Sequence, residues 1–292
     1  MHNRYHAGRA VVLGSLLVLG LVVGVSAPVW AVDVSACGDF SVSNPTDTRF
    51  DLVNNITTSA STGTCLTFPP NAVVSMSGFA VIGTNIDNDT DGIDLANNSF
   101  LWGPGIIRGF GACVRAGDHV AVEGIVTNWC GIGISIGNSF KIKEVRVHDC
   151  VPSSLEGVGI LPGQGGILES SIVRNCDFGV VTFQNNKIWN LVVTNHEFTG
   201  LQVDTGSAVS RTVISHPRSS GTLGLGYDCQ VSAGGCQDGS NSVDGHATGL
   251  NIRVFGPAVT QPQENPAQSA TNCNGVPVPR NPADGSIAGP PC

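Results

Sequence analysis

A repeat of about twenty residues is the feature that most restricts how this chain can fold. Residues 111–130 read GACVRAGDHVAVEGIVTNWC and residues 131–150 read GIGISIGNSFKIKEVRVHDC, so each stretch has Gly first, Gly seventh and Cys last. Further units of similar length begin at Gly92, Gly157, Gly179 and Gly200. A short unit repeated in this way predicts an architecture in which one supersecondary unit stacks on the next.

Each unit contains three short apolar stretches. Its second and fourth residues are almost always apolar, in the pairs Ile93 and Leu95, Ala112 and Val114, Ile132 and Ile134, Val158 and Ile160, Val180 and Thr182, and Leu201 and Val203. Residues two apart in a strand share a face, so we expect these side chains to enter one core. A second column holds Leu101, Val120, Phe140, Ile188 and Val209, and a third holds Ile106, Ile125, Val145, Val193 and Ile214.

Three apolar strands cannot close a core by themselves, but they can when each coil stacks on identical coils. We therefore predict an all-β fold, a single right-handed parallel β-helix of about six to eight coils of about 20 residues, with about 4.8 Å between coils. The predicted segments are a signal peptide at 1–31, an N-terminal cap and entry segment at 32–72, the coils at 73–217, an irregular segment at 218–256 that offers a last strand, and a Pro-rich tail of disordered composition at 257–292.

The repeated glycines and cysteines have separate explanations. The first and seventh glycines of a unit are expected at corners, where a turn needs the backbone freedom of glycine. The terminal cysteines fall in one column, Cys130, Cys150 and Cys176, and an odd column cannot pair fully. Two interpretations stay open: buried thiols that act as small apolar residues, or a Cys130–Cys150 disulfide.

The N-terminus predicts export. Residues 1–10 carry two arginines and precede the apolar run VVLGSLLVLGLVVGVSA, and Pro28 ends that run before the small-residue site VWA. This order is typical of a secretory signal peptide, and it predicts a secreted or periplasmic protein without stable membrane insertion after cleavage. A retained membrane anchor, or lipid attachment at Cys37 within the lipobox-like VSAC, are the alternatives. Export permits disulfides among the ten cysteines.

Charge excludes one class of partner. The chain has 22 Asp and Glu against 14 Lys and Arg, a formal net charge of −8. An acidic chain has no electrostatic reason to bind nucleic acid or an anionic lipid surface. Cysteine-rich segments at both ends are expected to cover the outermost strands, which predicts a monomer.

The pattern Gly-Ile-x-Leu, Gly/Ser-Asn, Val-x-x-Val-x-Asn, repeated over 73–217, resembles the right-handed parallel β-helix (pectin-lyase-like) superfamily. The likeness is to its bacterial secreted β-helix repeat proteins, which include periplasmic copper-processing and carbohydrate-binding members, and it covers about half the chain. It implies the solenoid fold, but the same solenoid carries lyases, glycosidases, epimerases, tail spikes, adhesins and inert scaffolds. Activity must therefore be argued from particular residues.

Three alternating carboxylates, Asp87, Asp89 and Asp91, precede Gly92. Calcium prefers several oxygen ligands that converge at a sharp turn, so this run predicts a calcium site, with an acidic solvated turn as the alternative. An EF-hand would place Glu six residues after the glycine, where this chain has Asn98.

The same run extends to Asp94 and resembles the Asn-Thr-Asp-Gly-Ile-Asp motif of polygalacturonase-type glycoside hydrolases. Residues 131–137, GIGISIG, resemble their later Gly-His-Gly-Ile-Ser-Ile-Gly motif. Ile132 stands where the histidine belongs, and residues 110–113, FGAC, replace the expected aspartate pair. Without two suitably placed carboxylates the inverting hydrolysis lacks its acid and its base, so this activity is not expected.

One candidate surface is the outward face of the first strand of each unit. The third and fifth residues of the units are expected to point outward and to form a face poor in acids and bases, with Asp94 and Arg115 as its predicted ligand-binding residues. The other members of this face are Cys113, Gly133, Gly159, Val181, Gln202, Ala96, Ser135, Leu161, Phe183 and Asp204.

A polar stripe near the end of each coil is the second candidate surface. Its members, expected in register on successive coils about 5 Å apart, are Trp129, His148, Asp149, Arg174, Asn175, His196 and Glu197. The stripe could bind a sugar chain through Trp129 and Asn175, or supply acid–base catalysis through the other five residues. A column of hydrated turn residues is the alternative.

Two functions fit these observations. The first is a secreted, non-catalytic solenoid that binds polysaccharide or another envelope glycan as a scaffold. The second is a calcium-assisted polysaccharide lyase, or another carbohydrate-active enzyme, that acts on acidic polysaccharide. The low charge of the outward face and the broken hydrolase motifs favour the binding protein.

Overall fold

The computed structural model describes residues 31–215, apart from 60, 87–88, 152–156 and 205, together with the backbone of four later strands. Side chains are described as far as Ile214. Residues 1–30 of the predicted signal peptide, the predicted Pro-rich tail and Asp87 lie outside the described residues.

The described residues form short strands and one single-turn helix. In chain order these elements are β1 (Val32–Val34), β2 (Gly38–Asp39), α1 (Phe40–Ser43), β3 (Arg49–Leu52), β4 (Ile56–Thr58), β5 (Gly63–Phe68), β6 (Val73–Ser75), β7 (Ala80–Gly83), β8 (Thr90–Leu95), β9 (Phe100–Arg108), β10 (Ala112–Ala116), β11 (Ala121–Asn128), β12 (Ile132–Ile136), β13 (Lys141–Lys143), β14 (Arg146–His148), β15 (Val158–Pro162), β16 (Ile167–Glu169), β17 (Ile172–Arg174), β18 (Phe178–Val181), β19 (Lys187–Trp189), β20 (Val192–Thr194), β21 (Thr199–Asp204), β22 (Ala208–Ser210), β23 (Val213–Ser215), β24 (Leu225–Gln230), β25 (Gln237–Gly239), β26 (Ser242–Val243) and β27 (Ile252–Phe255).

The local sequence explains why strands dominate. The strands are rich in β-branched Val, Ile and Thr, which pack well on a pleated surface and lose side-chain freedom in a helix. The helix α1 is one turn that Asp39 caps, because its Oδ1 accepts a hydrogen bond from the Ser41 amide at 3.0 Å. No helix in the described part of the chain is long and apolar enough to cross a membrane.

The strands form two parallel sheets. The ten-stranded sheet has the order β2-β5-β8-β10-β12-β15-β18-β21-β24-β27, and the other 17 strands form the second sheet. Between consecutive strands of the ten-stranded sheet the chain passes through one long or two short strands of the 17-stranded sheet. We call one strand of the ten-stranded sheet and the strands that follow it a coil. The prediction of an all-β chain with parallel strands is confirmed, and the arrangement is compatible with a β-solenoid.

One core column runs through the ten-stranded sheet. Its fully buried side chains, in order across the sheet, are Ile93, Val114, Ile134, Ile160, Val180 and Leu201. Each pair is parallel and in register, so equivalent side chains of successive coils lie about 4.8 Å apart. The core therefore continues from coil to coil without interruption in this sheet.

The register corrects the predicted alignment of the units. Ile93 is the second residue of its unit, yet it pairs with Val114, which is the fourth residue of the next unit. Ile132 and Val158, predicted to be core residues, are only partly buried. A shift by two places keeps every side chain on its own face, so alternation in the sequence cannot reveal it.

The same two-place shift affects the second predicted column. Leu101 pairs with Val122, and Val122 pairs with Ile142. Val120 and Phe140, which were expected in this column, are buried but lie two places earlier. The positions are still part of the core, although they belong to a neighbouring column.

In the third predicted column, Ile125 and Val145 lie two places before Thr127 and Val147, the residues that align with Val193 and Ile214. Ile106 is also wrongly placed. Its side chain is 44% exposed, and Ile107 is the buried residue that pairs with Thr127. Two adjacent isoleucines are equally suited to a strand, so the sequence pattern does not say which of them faces the core.

The corners between strands are made by residues with positive φ. Every non-glycine residue of this kind in the described chain lies between two strands: Asn71, Ser77, Asn98, His119, Trp129, Ser139, Glu144, Asp149, Ser170, Asn175, Asn185, Asn190, Asn195 and Arg211. Gly117 and Gly137, the seventh residues of their units, lie at corners as predicted, directly after β10 and β12, but they are not in this conformation. Half of the non-glycine residues with positive φ are Asn or Asp, whose short side chains tolerate the left-handed conformation.

The seventh-place glycines are needed for space instead. Asn97 Oδ1 accepts a hydrogen bond from the Asp118 amide at 2.9 Å, and Asp118 Oδ1 accepts one from the Asn138 amide at 2.7 Å. Asn138 Oδ1 in turn accepts from the Gln164 amide at 3.1 Å, and we call these four residues the corner ladder. A Cβ atom on Gly137 would collide with Asp118 Oδ1 and with the backbone of the preceding coil.

Three disulfides join described residues: Cys37–Cys65, Cys113–Cys130 and Cys150–Cys176. Both interpretations of the Cys130 column are therefore wrong. Cys113 was expected to point outward, but it is fully buried and supplies the partner that an odd column lacked. All six cysteines with described side chains are bonded in this way, which is typical of an oxidising compartment.

Candidate functional site

A cleft of about 540 Å³ opens where β7, β9 and β11 end. We call it the Trp129 cleft, and its principal lining residues are Ile82, Thr84, Ile86, Arg108, Asn128 and Trp129. Parallel strands bring their carboxyl ends to one edge, which is where the chain can vary side chains without disturbing the core. The cleft contains Trp129 from the predicted polar stripe, together with two residues, Arg108 and Asn128, that the sequence analysis did not single out.

Trp129 is an unfavourable residue type for the left-handed corner that it occupies. Its φ is 58°, and the equivalent corners on neighbouring coils are Gly109, Asp149, Asn175 and Asn195, all with positive φ. A bulky residue in the left-handed region costs of order 1–3 kcal/mol, and such residues concentrate at functional sites. The Trp129 side chain is also 62% exposed, so packing does not compensate for this cost.

Asn128 and Arg108 add polar groups beside the indole. They are paired residues on the adjacent strands β11 and β9, and Arg108 is exposed. Asn128 Oδ1 is buried and has no hydrogen-bond partner among the described residues. A buried acceptor without a donor costs free energy, so Asn128 is a polar residue that the fold alone does not satisfy.

The register corrects the predicted polar stripe. His148 and Arg174 share one column with Asn128, and Thr194 continues it. His196 and Glu197, which were expected beside Arg174 and Asn175, follow Asn195 and therefore lie further along their coil. The cause is the same two-place offset of the units that changes the core columns.

His196 is fully buried and comes directly after the corner residue Asn195, as Cys150 and Cys176 come after Asp149 and Asn175. It therefore continues the cysteine column and does not reach the surface beside Arg174. The dipeptides Trp-Cys, Asp-Cys, Asn-Cys and Asn-His at the corners are the sequence signal that gives the correct alignment.

Asp149 and Asn175 hold each other in place. Asn175 Nδ2 donates a hydrogen bond to Asp149 Oδ1, and Asn195 Nδ2 donates to Asn175 Oδ1 at 2.9 Å. Side-chain ladders of this kind stabilise stacked parallel strands. The predicted ligand-binding residue Asn175 and the predicted catalytic residue Asp149 thus have a structural role.

His148 lies next to this ladder in a partly buried position. Burial lowers the pKa of His148 below 6.5, the charges of Arg174 and Arg146 lower it further, and the charge of Asp149 opposes them. The neutral form of the side chain is therefore favoured.

The outer face of the ten-stranded sheet carries a charged group at Asp91, Asp94 and Arg115. Arg115 Nε donates to Asp91 Oδ2 at 2.9 Å, and Arg115 pairs in register with Asp94 on the adjacent strand. Burial and the charge of Asp91 raise the pKa of the Asp94 carboxyl above 3.8, while Arg115 opposes the shift. The two predicted ligand-binding residues of this face are thus adjacent, but Gly133 and Gly159, expected to be outward, are buried.

Of the three predicted calcium ligands, Asp87 lies outside the described residues, and Asp89 is exposed. Asp91 is bonded to Arg115 through one carboxylate oxygen. The described residues contain no group of three or more His, Cys, Asp and Glu side chains arranged to hold a metal ion.

Comparison of the chain with protein-family models, with curated proteins and with solved structures finds no significant match.

Proposed function

We propose that the chain is an exported, non-catalytic binding protein, a single right-handed parallel β-helix that holds polysaccharide or another envelope glycan in the Trp129 cleft. The observation that carries this proposal is Trp129 itself, a large aromatic residue in a left-handed corner with its ring exposed over a cleft. The in-register parallel strands support the solenoid, and the three disulfides support an exported protein.

The cleft has the groups that sugar recognition requires. An aromatic ring offers a flat apolar surface to the C–H face of a pyranose, and a few polar groups then fix the orientation of the hydroxyls. Asn128 contributes an amide side chain to the lining, and Arg108 offers a cationic group with several donors. The cation favours a sugar with a carboxylate, so acidic polysaccharide is the ligand class proposed for this cleft.

The test is binding of purified protein to a glycan array, followed by calorimetry with an oligosaccharide that scores, for the wild type and for Trp129→Ala. We expect the substitution to weaken binding by about tenfold or more, the loss of about 1.4 kcal/mol. Trp102→Ala is the matched control, because Trp102 is 38% exposed but does not line the Trp129 cleft. Equal binding by wild type and Trp129→Ala would contradict the proposal.

An enzyme acting on acidic polysaccharide is the second candidate, and the group of Asp91, Asp94 and Arg115 favours it. A carboxyl with a raised pKa beside an arginine that is held by a second carboxylate is a combination common at catalytic sites. Lyase products absorb through their unsaturated sugar, so the assay follows absorbance with pectate, alginate and glycosaminoglycans, with and without calcium. Product formed by the wild type and lost in Arg115→Ala would support the enzyme, and no product would reject it.

A further inference from the structure

A second cleft, of about 320 Å³, lies at the carboxyl ends of β12, β15, β18 and β21 in the ten-stranded sheet. We call it the Phe183 cleft, and its lining residues are Asn138, Gly163, Gln164, Phe183, Gln184 and Asp204. The Phe183 side chain is 55% exposed. Trp102, Trp129 and Phe183 are the exposed aromatic residues of the described chain, and Trp129 and Phe183 each line a cleft.

Phe183 occupies a position that other coils reserve for glycine. Counted from the paired residues Ile160 and Val180, Phe183 is equivalent to Gly163, and the same place holds Gly137 on the coil before. A Cβ on either glycine would collide with a side chain of the corner ladder. A large side chain at this place is therefore compatible only with a coil that the corner ladder does not reach. The last bond of the corner ladder is the one from the Gln164 amide to Asn138, one coil before Phe183.

Two glutamine side chains line the Phe183 cleft together with the ring. Asn138 Oδ1 accepts from the Gln164 amide, but the side chains of Gln164 and Gln184 form no hydrogen bond with any described residue. Each carries an acceptor and two donors, so together they offer a ligand both kinds of hydrogen-bond group. An exposed ring and two such amides in one cleft are suited to a polar ligand with an apolar face.

We propose that the Phe183 cleft is a second carbohydrate site, which takes an uncharged sugar residue. The proposal rests on the function proposed above and adds a separate ligand specificity. Asp204 is the ionisable side chain of this cleft, and its negative charge disfavours a sugar carboxylate. The Trp129 cleft contains Arg108 instead, so the two clefts select sugars of different charge.

The experiment measures binding of wild type, Phe183→Ala, Trp129→Ala and Trp102→Ala to an array of neutral hexasaccharides and oligogalacturonates, with calorimetry on the best ligand of each class. We expect Phe183→Ala to weaken binding of the neutral ligand by about tenfold or more and to leave oligogalacturonate binding unchanged. Trp129→Ala should show the reverse pattern, and Trp102→Ala should match the wild type. Thermal unfolding verifies that each variant is folded.

The outcomes separate the two proposals. Neutral binding that is the same in Phe183→Ala and wild type overturns the second site, while loss of oligogalacturonate binding in Trp129→Ala alone leaves the proposed function in place. A wild type that binds no member of the array overturns both. Asp204→Asn provides a further readout, because removal of the charge is expected to let the Phe183 cleft bind oligogalacturonate in a Trp129→Ala background, and no gain would contradict the specificity.

Discussion

Trp129 and Asn175 occupy equivalent corners with nearly equal backbone angles, φ of 58° and 56°, but only one of them suits the conformation. Asn tolerates the left-handed region because its short side chain can bond locally, and Asn175 does so with Asp149. Trp129 gains no such bond among the described residues and exposes its ring. Trp129 thus carries a conformational cost that the fold does not require, and the proposed glycan site would account for it.

Trp129→Asn is expected to raise stability while it removes ligand binding. Relief of the left-handed strain is worth about 1–2 kcal/mol, and for a chain of this size each kcal/mol raises the Tm by roughly 2–4 °C. Thermal unfolding and glycan binding are measured on the same preparation. Asn175→Trp is the reciprocal control and should lower the Tm. An unchanged or lower Tm for Trp129→Asn would contradict backbone strain at Trp129.

Asp94→Asn is expected to stabilise the protein at neutral pH and to have little effect in acid. Burial and then the charge of Asp91 raise the folded-state pKa of Asp94 above 3.8. The stability that this carboxyl contributes is therefore fully present below 3.8 and is lost as the pH rises through the folded-state pKa. Amide substitution removes the charge. Urea unfolding should therefore show a higher free energy of unfolding for the variant than for the wild type at neutral pH only. A gain that is the same in acid would show that the carboxyl does not titrate in this way.

The sequence predicts where the strands are, but it does not predict their register. Short alternating runs of Val and Ile predict the parallel strands, because burial of one face requires that pattern. They do not predict that Ile93 stands opposite Val114, since a shift of two residues keeps every side chain on its face. The candidate site shows the same difference. Trp129 is recognisable in the sequence as an aromatic residue in a polar turn, but the register is needed to place Arg108 beside Asn128 in the same cleft.

Gly137→Ala tests the corner ladder as an element. The added methyl group meets Asp118 Oδ1 and the backbone of the preceding coil, neither of which is the free end of a flexible side chain. We expect the free energy of unfolding to fall by about 1–3 kcal/mol in denaturant titration. Lys141→Ala, an exposed change in the same coil, should stay within about 0.5 kcal/mol. Equal values for the two variants would show that the glycine is not required for space.

Across the described chain, stability is the sum of contacts between neighbouring coils, because no coil has a core of its own. The buried column through the ten-stranded sheet supplies the apolar part of these contacts. Cys113–Cys130 and Cys150–Cys176 add covalent links across 17 and 26 residues of sequence. Both links join residues within the part of the chain that carries the two clefts.

Replacement of Cys150 and Cys176 together by Ala is expected to lower the free energy of unfolding by about 3 kcal/mol, because the unfolded chain regains the freedom that a 26-residue loop closure removes. Guanidinium titration of the variant and of the wild type gives the difference. The doubly substituted Cys113 and Cys130 variant is the matched comparison and should lose a similar amount, since loop length enters only logarithmically. If the Cys150 and Cys176 variant is as stable as the wild type, the disulfide does not stabilise the protein in this way.

The Cys150–Cys176 bond has a consequence for proteolysis. It closes a ring of polypeptide, so one cut of a peptide bond between these two cysteines leaves both fragments on the same molecule. Such nicked protein would migrate as intact chain on a gel run without reductant and would separate into two bands only after thiol treatment. A host protease that attacks this stretch would therefore alter the chain without releasing any part of it.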